Sequence, residues 1–244
     1  MEFTHPTPTI PRTINIVALG PTNADYHSAH FSYNPVVPEV DDVWTLNKGF
    51  RTTRAGVVFV LDDLVGECRK SERYRRELNN LRVPIITSII DDDILELLPD
   101  AQLVKYPIHQ VVDFYGQRWL ESRDRLSPVS WSLSSSPVPW EPKDYTQEEI
   151  RNAGRRYASY MRNSIPMILA YAGFIGIRTI NLFGADYDFP GAAVHEAGKP
   201  NCEYWVALIA GLLGVEVNLP SRSTLLSINQ GRDIYGYGAR QPIL

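Results

Sequence analysis

The sequence predicts an α/β fold in which a mainly parallel, doubly wound sheet carries helices on both faces. Short apolar runs alternate with helical segments, and almost every run ends at Gly, Pro, Asn or Asp. Right-handed βαβ crossovers produce this alternation. The chain has 244 residues, of which 44% are hydrophobic and 21% are charged. It can therefore bury one sizeable core, and we expect residues 1–244 to form a single domain.

The predicted strands are short apolar runs bounded by turn residues. Gly56–Leu61 is the clearest, because Val57, Val58 and Val60 are β-branched and favour an extended backbone. The carboxyl ends of parallel strands share one edge of the sheet, where ligands of such proteins collect. The other predicted strands are Ile14–Leu19, Val43–Leu46, Val83–Ser88, Leu103–Tyr106, Thr179–Phe183 and Val215–Leu219.

Several segments between the strands have helical spacing or helix-boundary residues. The spaced apolar residues of Cys68–Leu81 predict a helix with a charged face, and Asp91–Leu98 begins with acidic residues that suit a helix N-terminus. Asn201–Leu213 is an apolar helix that Gly214 ends. Thr146–Gly173 opens with a capping-box pattern and predicts a long helix. Pro166 must bend or interrupt that helix, so a separate helix that starts near residue 163 is the alternative.

Ser127–Asp144 is the longest irregular stretch and is rich in Ser and Pro. Loops of this length are usually lids, binding loops or disordered. Trp131 and Trp140 are unfavourable to expose in a linker, so we expect a lid or insertion at about 120–145 that stacks on a ligand. A domain linker, or a loop that both tryptophans pin to the core, is the alternative.

Net charge, cysteines and apolar stretches indicate the partners and the location of the protein. The net charge of −4 does not indicate a large nucleic-acid surface, although it does not exclude nucleic acid as a partner. Cys68 and Cys202 form no zinc-ligand pair, and we interpret them as buried or idle thiols. Ile165–Ile177 is shorter than the ~20 residues that span a bilayer, and Met1–Arg12 lacks the apolar core of a signal peptide. We expect a cytoplasmic protein.

Polar and glycine residues follow the predicted strands at the expected ligand edge. Gly20, Pro21 and Thr22 end the first strand, where Gly lets a ligand approach the backbone and Thr22 offers an amide and a hydroxyl to a phosphate. A plain strand-ending turn is the alternative, since neither a Walker loop nor a dinucleotide fingerprint is present. The further strand-end residues are Asn47, Asp62, Asp63, Gly184, Ala185, Asp186 and Ser221.

Two acidic segments have both a metal-binding and a structural interpretation. Asp62 and Asp63 suit Mg²⁺ held against a diphosphate. The alternative is that one of them caps the next helix and the other is solvated. Asp91–Asp93 lies at a predicted helix start, and we interpret it as a solvated cap.

The richest polar segment runs from Gly184 to Lys199. It contains Asp186, Tyr187 and His195, whose imidazole can act as a general base on an acceptor hydroxyl. Asn163 and Ser164 precede an apolar helix, where they either meet a phosphate or carboxylate or simply cap the helix. The Gly-rich tail that contains Tyr235 and Tyr237 is either a ligand-contacting flap or a contact between subunits of a homo-oligomer.

The motifs and their order along the chain resemble those of bacterial sialyltransferases of lipooligosaccharide synthesis. The matching pieces are Gly20-Pro21-Thr22, Asn47 with Phe50, Asn163-Ser164, Gly184-Ala185-Asp186 and a loop that bears His195. The same scheme resembles Maf-type flagellin-modifying glycosyltransferases and archaeal-type hydroxymethylpterin diphosphokinase. Ala18 and Ile165 stand where the sialyltransferases have Gly, and Lys199 falls near the register of their histidine.

The resemblance implies a Rossmann-like, glycosyltransferase-A-like fold. It implies sugar transfer from a nucleotide-activated donor, such as a CMP-sugar, to an unidentified acceptor; if this transfer needs no metal, EDTA should not affect it. Mg²⁺-dependent diphosphate transfer from ATP through Asp62 or Asp63, and nucleotide binding without catalysis, are the alternatives. The implied donor contacts are Gly20, Thr22, Asn47, Ser164 and Asp186, to which we add Pro21, Asn163, Tyr187 and Ser221. His195 and Asp186 are the expected catalytic residues, with Lys199 as the alternative base.

Overall fold

The computed structural model describes residues 12–31, 40–126, 143–187 and 198–226. These residues form one seven-stranded sheet in the order β5-β4-β3-β2-β1-β6-β7, and every neighbouring pair is parallel. Each strand overlaps a predicted one, so the parallel α/β fold is confirmed. The strands are β1 Thr13–Val17, β2 Asp42–Leu46, β3 Val57–Val60, β4 Ile85–Thr87, β5 Leu103–Lys105, β6 Thr179–Phe183 and β7 Glu216–Asn218.

The strand order reverses beside β1, at the centre of the sheet. The chain proceeds from β1 to β5 in one direction and then returns to place β6 on the other side of β1. The connections from β1 to β2 and from β6 to β7 therefore use helices on opposite faces of the sheet, and such an arrangement leaves a crevice at the strand ends. Open α/β sheets bind their ligands at this topological switch point.

Helices cover both faces of the sheet, as predicted. Val58 and Val60 of β3 pack in a core with Leu64 and Tyr74, whereas Phe59 points to the other face and packs with Trp44. The helices are α1 Asn23–Phe31, α2 Leu64–Lys70, α3 Glu72–Asn79, α4 Asp92–Leu97, α5 Ile108–Leu126, α6 Gln147–Ala158, α7 Ser164–Ile175 and α8 Lys199–Leu213, with a 3-10 helix at Asn47–Arg51. Within the described ranges, no helix is both long and apolar enough to cross a membrane.

Two predicted helices prove to be pairs of helices. The segment predicted over Cys68–Leu81 is divided at Ser71, whose extended backbone ends α2 and whose side chain accepts a hydrogen bond from Tyr74 N at the start of α3. The prediction of a single helix over Thr146–Gly173 was also wrong. The alternative, a separate helix that starts near residue 163, is confirmed. The capping box of Thr146 is present at the start of α6, and Asn163 caps α7.

Helix α5 was not predicted, and it changes the limits of the expected lid. Residues 120–126 belong to this helix rather than to an irregular insertion. Its buried side includes Val111, Val112, Tyr115 and Leu120, so the helical spacing is present in the sequence although the helix was not predicted. The rest of the lid segment, 127–142, lies outside the described residues, so a lid there remains a prediction. The tail with Tyr235 and Tyr237 also lies outside them.

Both cysteines are buried and free, as the sequence indicated. Cys202 of α8 is fully buried, and that burial raises the pKa of its thiol to about 12. Burial also raises the pKa of the Cys68 thiol. The raised pKa of each thiol disfavours the reactive thiolate at neutral pH, which agrees with structural cysteines.

Helices α5 and α6 cross where two glycines face each other. A Cβ added to Gly116 would lie 2.0 Å from Ile150 O, and one added to Gly154 would lie 2.3 Å from Val112 O. Backbone meets backbone at this crossing, so no flexible side chain can move to make room. Only glycine permits this separation of the two helices.

We expect Gly116→Ala to lower the free energy of unfolding by about 3 kcal/mol, because the helices must separate to accommodate the methyl group. Gly211→Ala in α8 is the matched control, since a Cβ there meets nothing within 4 Å. It should stabilise the protein by about 0.5–1 kcal/mol through helix propensity. Urea unfolding of both variants measures the difference, and equal stabilities would contradict the close crossing.

Candidate functional site

A cavity of about 1020 Å³ lies at the carboxyl ends of β1, β2, β3 and β6. This is at the upper end of the range of about 300–1,000 Å³ that is usual for small-molecule sites. Its strand-end wall includes Leu19, Gly20, Asn47, Asp62, Gly184 and Asp186. Its helical wall includes Tyr160, Arg162, Asn163, Ser164, Gly198 and Asn201. The predicted ligand edge of the sheet therefore does contain a cavity.

The turns that follow β1 and β6 touch each other through two glycines. Gly20 N donates a hydrogen bond to Gly184 O over 2.8 Å. A Cβ on Gly20 would lie 2.6 Å from the same oxygen, and Gly184 itself has a φ of 68°. A Cβ on Gly184 would lie 2.5 Å from Ala18 O. Both positions therefore require glycine for the two turns to come this close. The two turns together form the floor of the crevice.

Asp186 is a buried carboxylate that borders the cavity. It is 3% exposed, and its Oδ2 accepts hydrogen bonds from Thr22 N and Thr22 Oγ1, each over 2.6 Å. Thr22 Oγ1 accepts in turn from Gly184 N over 2.9 Å. The other carboxylate oxygen, Oδ1, is buried without a hydrogen-bond partner in the described structure. A buried acceptor without a partner is unfavourable, and a ligand hydroxyl that reached Oδ1 from the neighbouring cavity would satisfy it.

The geometry gives Thr22 a different role from the expected one. We expected its amide and hydroxyl to bind a phosphate, but both donate to Asp186, and Thr22 does not line the cavity. These two groups hold the Asp186 carboxylate in place. Pro21 and Ser221 are exposed and do not line the cavity either.

Asn47 lies at the end of β2 in a strained backbone conformation. Its φ is 49°, a left-handed value that among non-glycine residues Asn tolerates best. Its Nδ2 donates to Asp62 Oδ2 over 2.9 Å, whereas its Oδ1 is buried without a partner among the described residues. Asn47 and Asp62 both line the cavity. Left-handed backbone at a non-glycine residue is often found at functional sites, and Asn47 stands at the wall of this cavity.

The geometry does not support the magnesium interpretation of Asp62 and Asp63. Asp63 is the N-cap of α2, and its Oδ1 accepts from Gly66 N over 2.9 Å. Asp91 caps α4 through Ile94 N in the same way. In the described ranges, no group of three His, Cys, Asp or Glu side chains is placed to hold a metal ion. The diphosphate-transfer alternative therefore has no supporting arrangement here.

Three parts of the chain meet at the start of α7. Asn163 Oδ1 accepts from Ile165 N over 3.2 Å and from the Tyr187 hydroxyl over 3.3 Å. Asn163 Nδ2 donates to Gly198 O over 3.4 Å. These bonds join α7 to the segment after β6 and to the start of α8, and burial of Tyr187 raises the pKa of its hydroxyl. Asn163 and Tyr187 thus frame the cavity.

Positive charge collects at the same corner of the cavity. The twelve-residue helix α7 begins there with no acidic residue in its first turn, and Ser164 lines the cavity. Arg162, just before the N-cap, is exposed and also lines the cavity. Arg162 Nε donates to Ser159 O over 3.1 Å and Ile165 N is capped by Asn163, which leaves the other guanidinium nitrogens and the next amides of α7 as groups able to bind an anion. Neither Arg162 nor Tyr160 was singled out from the sequence, because both fell inside the helix wrongly predicted over residues 146–173.

Of the two candidate bases, Lys199 lies within the described residues. His195 lies outside the described residues, so its role remains a prediction. The alternative base, Lys199, is the first residue of α8 and does not line the cavity. Its Nζ is 3.8 Å from Glu203 Oε1, so the ammonium group is already paired.

The fold and the cavity together define a doubly wound, Rossmann-like α/β protein with a ligand cavity at its switch point. No family model and no curated protein matches the sequence. Among solved structures, the chain is similar to an α-2,3-sialyltransferase from Campylobacter jejuni in apo form, with 14% identity over 88% of this chain and 77% of that one and a TM-score of 0.48.

Two structures of the sialyltransferase CstII are also similar to the chain. The Campylobacter jejuni enzyme in complex with cytidine-5′-monophosphate has 14% identity over 88% of this chain and 82% of that one, with a TM-score of 0.45. The complex with a trisaccharide acceptor and CMP has 12% identity over 87% of this chain and 83% of that one, with a TM-score of 0.45.

Proposed function

We propose that the protein is a glycosyltransferase that transfers a sugar from a nucleotide-activated donor to an acceptor hydroxyl. The observation that carries this proposal is the presence of two features beside one large cavity. One is the anion site formed by Arg162 and the N-terminus of α7, and the other is the unpartnered carboxylate oxygen of Asp186. A nucleotide sugar presents both a phosphate and several hydroxyl groups, so it satisfies both features.

The donor phosphate belongs at the anion site rather than at Thr22. Arg162 and the N-terminus of α7 supply positive charge, and Ser164 supplies a hydroxyl at the same place. The amide oxygen of Asn47, together with Asp62, suits the donor groups of a nucleobase or ribose. The motif resemblance supports cytidine monophosphate as the nucleotide. Gly20 provides a floor on which the donor approaches the backbone.

The reaction follows from this placement of the donor. An acceptor hydroxyl oxygen attacks the anomeric carbon, the bond between that carbon and the phosphate oxygen breaks, and the nucleotide leaves. Arg162 and the N-terminus of α7 stabilise the charge that develops on the leaving phosphate. His195 is proposed to accept the proton of the acceptor hydroxyl. Asp186 accepts a hydrogen bond from a ligand hydroxyl through Oδ1 and fixes the orientation of the ligand.

A nucleotide-binding panel tests the proposal. We expect CMP to raise the melting temperature more than UDP, GDP or ATP, equally with and without EDTA. Arg162→Ala should weaken CMP binding by about tenfold or more, because it removes a charge-assisted contact. Arg155→Ala is the matched control, since Arg155 is also exposed but does not line the cavity. Flat melting curves with all four nucleotides would contradict the proposal.

A further inference from the structure

Tyr160, on the helical wall of the cavity, forms a stacked aromatic pair with Tyr204. Tyr160 follows α6, lines the cavity and is 41% exposed. Its ring stacks on that of Tyr204 in α8, with centroids 4.0 Å apart and planes inclined by 17°. Tyr204 packs edge-on against Trp205, which is fully buried in the core. The Tyr160 ring is therefore held at a set angle although it is exposed.

A fixed, exposed aromatic face binds flat groups with polarised C–H bonds. The face of the ring is electron-rich, and its C–H partners carry partial positive charge. Two ligands of a glycosyltransferase present such a surface, namely a nucleobase and the apolar face of a pyranose. The position of Tyr160 in the site decides between them.

Tyr160 lies next to the proposed phosphate site. It precedes Arg162 by two residues and the N-cap of α7 by three. The acceptor must reach the carbon that is bonded to the donor phosphate, so its subsite must adjoin the phosphate. A nucleobase instead needs polar groups that distinguish one base from another, and the polar residues Asn47 and Asp62 line the opposite, strand-end wall. This division assigns the base to Asn47 and the acceptor to Tyr160.

We propose that Tyr160, held in place by Tyr204, binds the acceptor by stacking on the apolar face of a pyranose ring. This inference rests on the proposed function and names the chemical class of the second substrate, the acceptor. Tyr160 is a specificity-determining residue here and takes no part in proton or group transfer. An acceptor without a flat apolar face, such as an acyclic polyol, binds poorly in this account.

Saturation-transfer NMR with methyl pyranosides tests the proposal. The probes are the β-galactoside, β-glucoside, α-mannoside and β-N-acetylglucosaminide, each measured without nucleotide and with CMP. We expect at least one probe to receive saturation mainly at the C–H groups of one face. Tyr160→Ala should lower the affinity for that probe by about tenfold or more. The affinity of Tyr160→Phe should stay within about twofold of that of the unaltered protein.

Two controls separate this proposal from other outcomes. Trp119→Ala removes another half-exposed aromatic ring that does not line the cavity, and it should leave sugar binding unchanged. CMP binding, measured alone, should be the same in Tyr160→Ala as in the unaltered protein. Sugar binding that is absent, or is unaffected by Tyr160→Ala, overturns the proposal, as does tenfold weaker CMP binding in that variant. A protein that binds pyranosides but no nucleotide would instead contradict the proposed function.

Discussion

Asp186→Asn is expected to lower the rate of nucleotide release from a nucleotide sugar at least about 100-fold while leaving the protein folded. The asparagine carbonyl can still accept the two hydrogen bonds that Thr22 donates to Oδ2. The NH₂ group then occupies the place of Oδ1, the oxygen that has no partner among the described residues. An NH₂ group there can only donate, so the ligand hydroxyl must turn to accept, and both its proposed orientation and the carboxylate charge are lost.

The control for this substitution is Asp63→Asn. Asp63 caps α2, and asparagine is an equally good N-cap, so neither stability nor activity should change by more than about twofold. Nucleotide release by chromatography and urea unfolding measure the two properties. Asp186→Asn with full activity would show that Oδ1 faces no reacting ligand. A large loss in Asp63→Asn would revive the magnesium interpretation.

Gly20→Ala is expected to weaken CMP binding by about tenfold or more and to lower the free energy of unfolding by about 2–3 kcal/mol. The added Cβ would lie 2.6 Å from Gly184 O and 3.1 Å from both N and Oδ2 of Asp186. The turns after β1 and β6 must separate to admit it, which moves the Asp186 carboxylate. Nucleotide titration and urea unfolding measure both effects.

Gly211→Ala controls for the general effect of replacing glycine with alanine, because its position is open. It should bind CMP normally. If Gly20→Ala bound CMP as tightly as the unaltered protein, the contact between the two turns would not shape the nucleotide site.

Much of the fold and the location of the site could be predicted from short-range signals. A strand that stops at a turn residue is visible in the sequence itself, and the parallel order then brings the strand ends together. Gly20, Asn47, Gly184 and Asp186 were selected in this way, and all four line the cavity. Asn163 and Ser164 were recognised as a helix start, which the structure confirms.

The partners of the site residues could not be predicted, because they are distant in sequence. Thr22 and Asp186 are 164 residues apart, and nothing near Thr22 shows that its donors are already engaged. Tyr160 and Tyr204 likewise meet only through the packing of α6 and α8. Arg162 was missed for a local reason, since one long predicted helix concealed the break between α6 and α7.

The central claim is that the cavity at the strand ends binds and activates a nucleotide sugar. Phosphorus NMR of the protein with CMP-N-acetylneuraminic acid in EDTA tests it most directly, because the phosphodiester of the donor and the monoester of free CMP give separate signals. We predict that the monoester signal grows faster than in buffer alone, and that Asp186→Asn reduces its growth to the buffer rate. If neither this donor nor UDP- and GDP-sugars released nucleotide faster than in buffer, the claim would be contradicted.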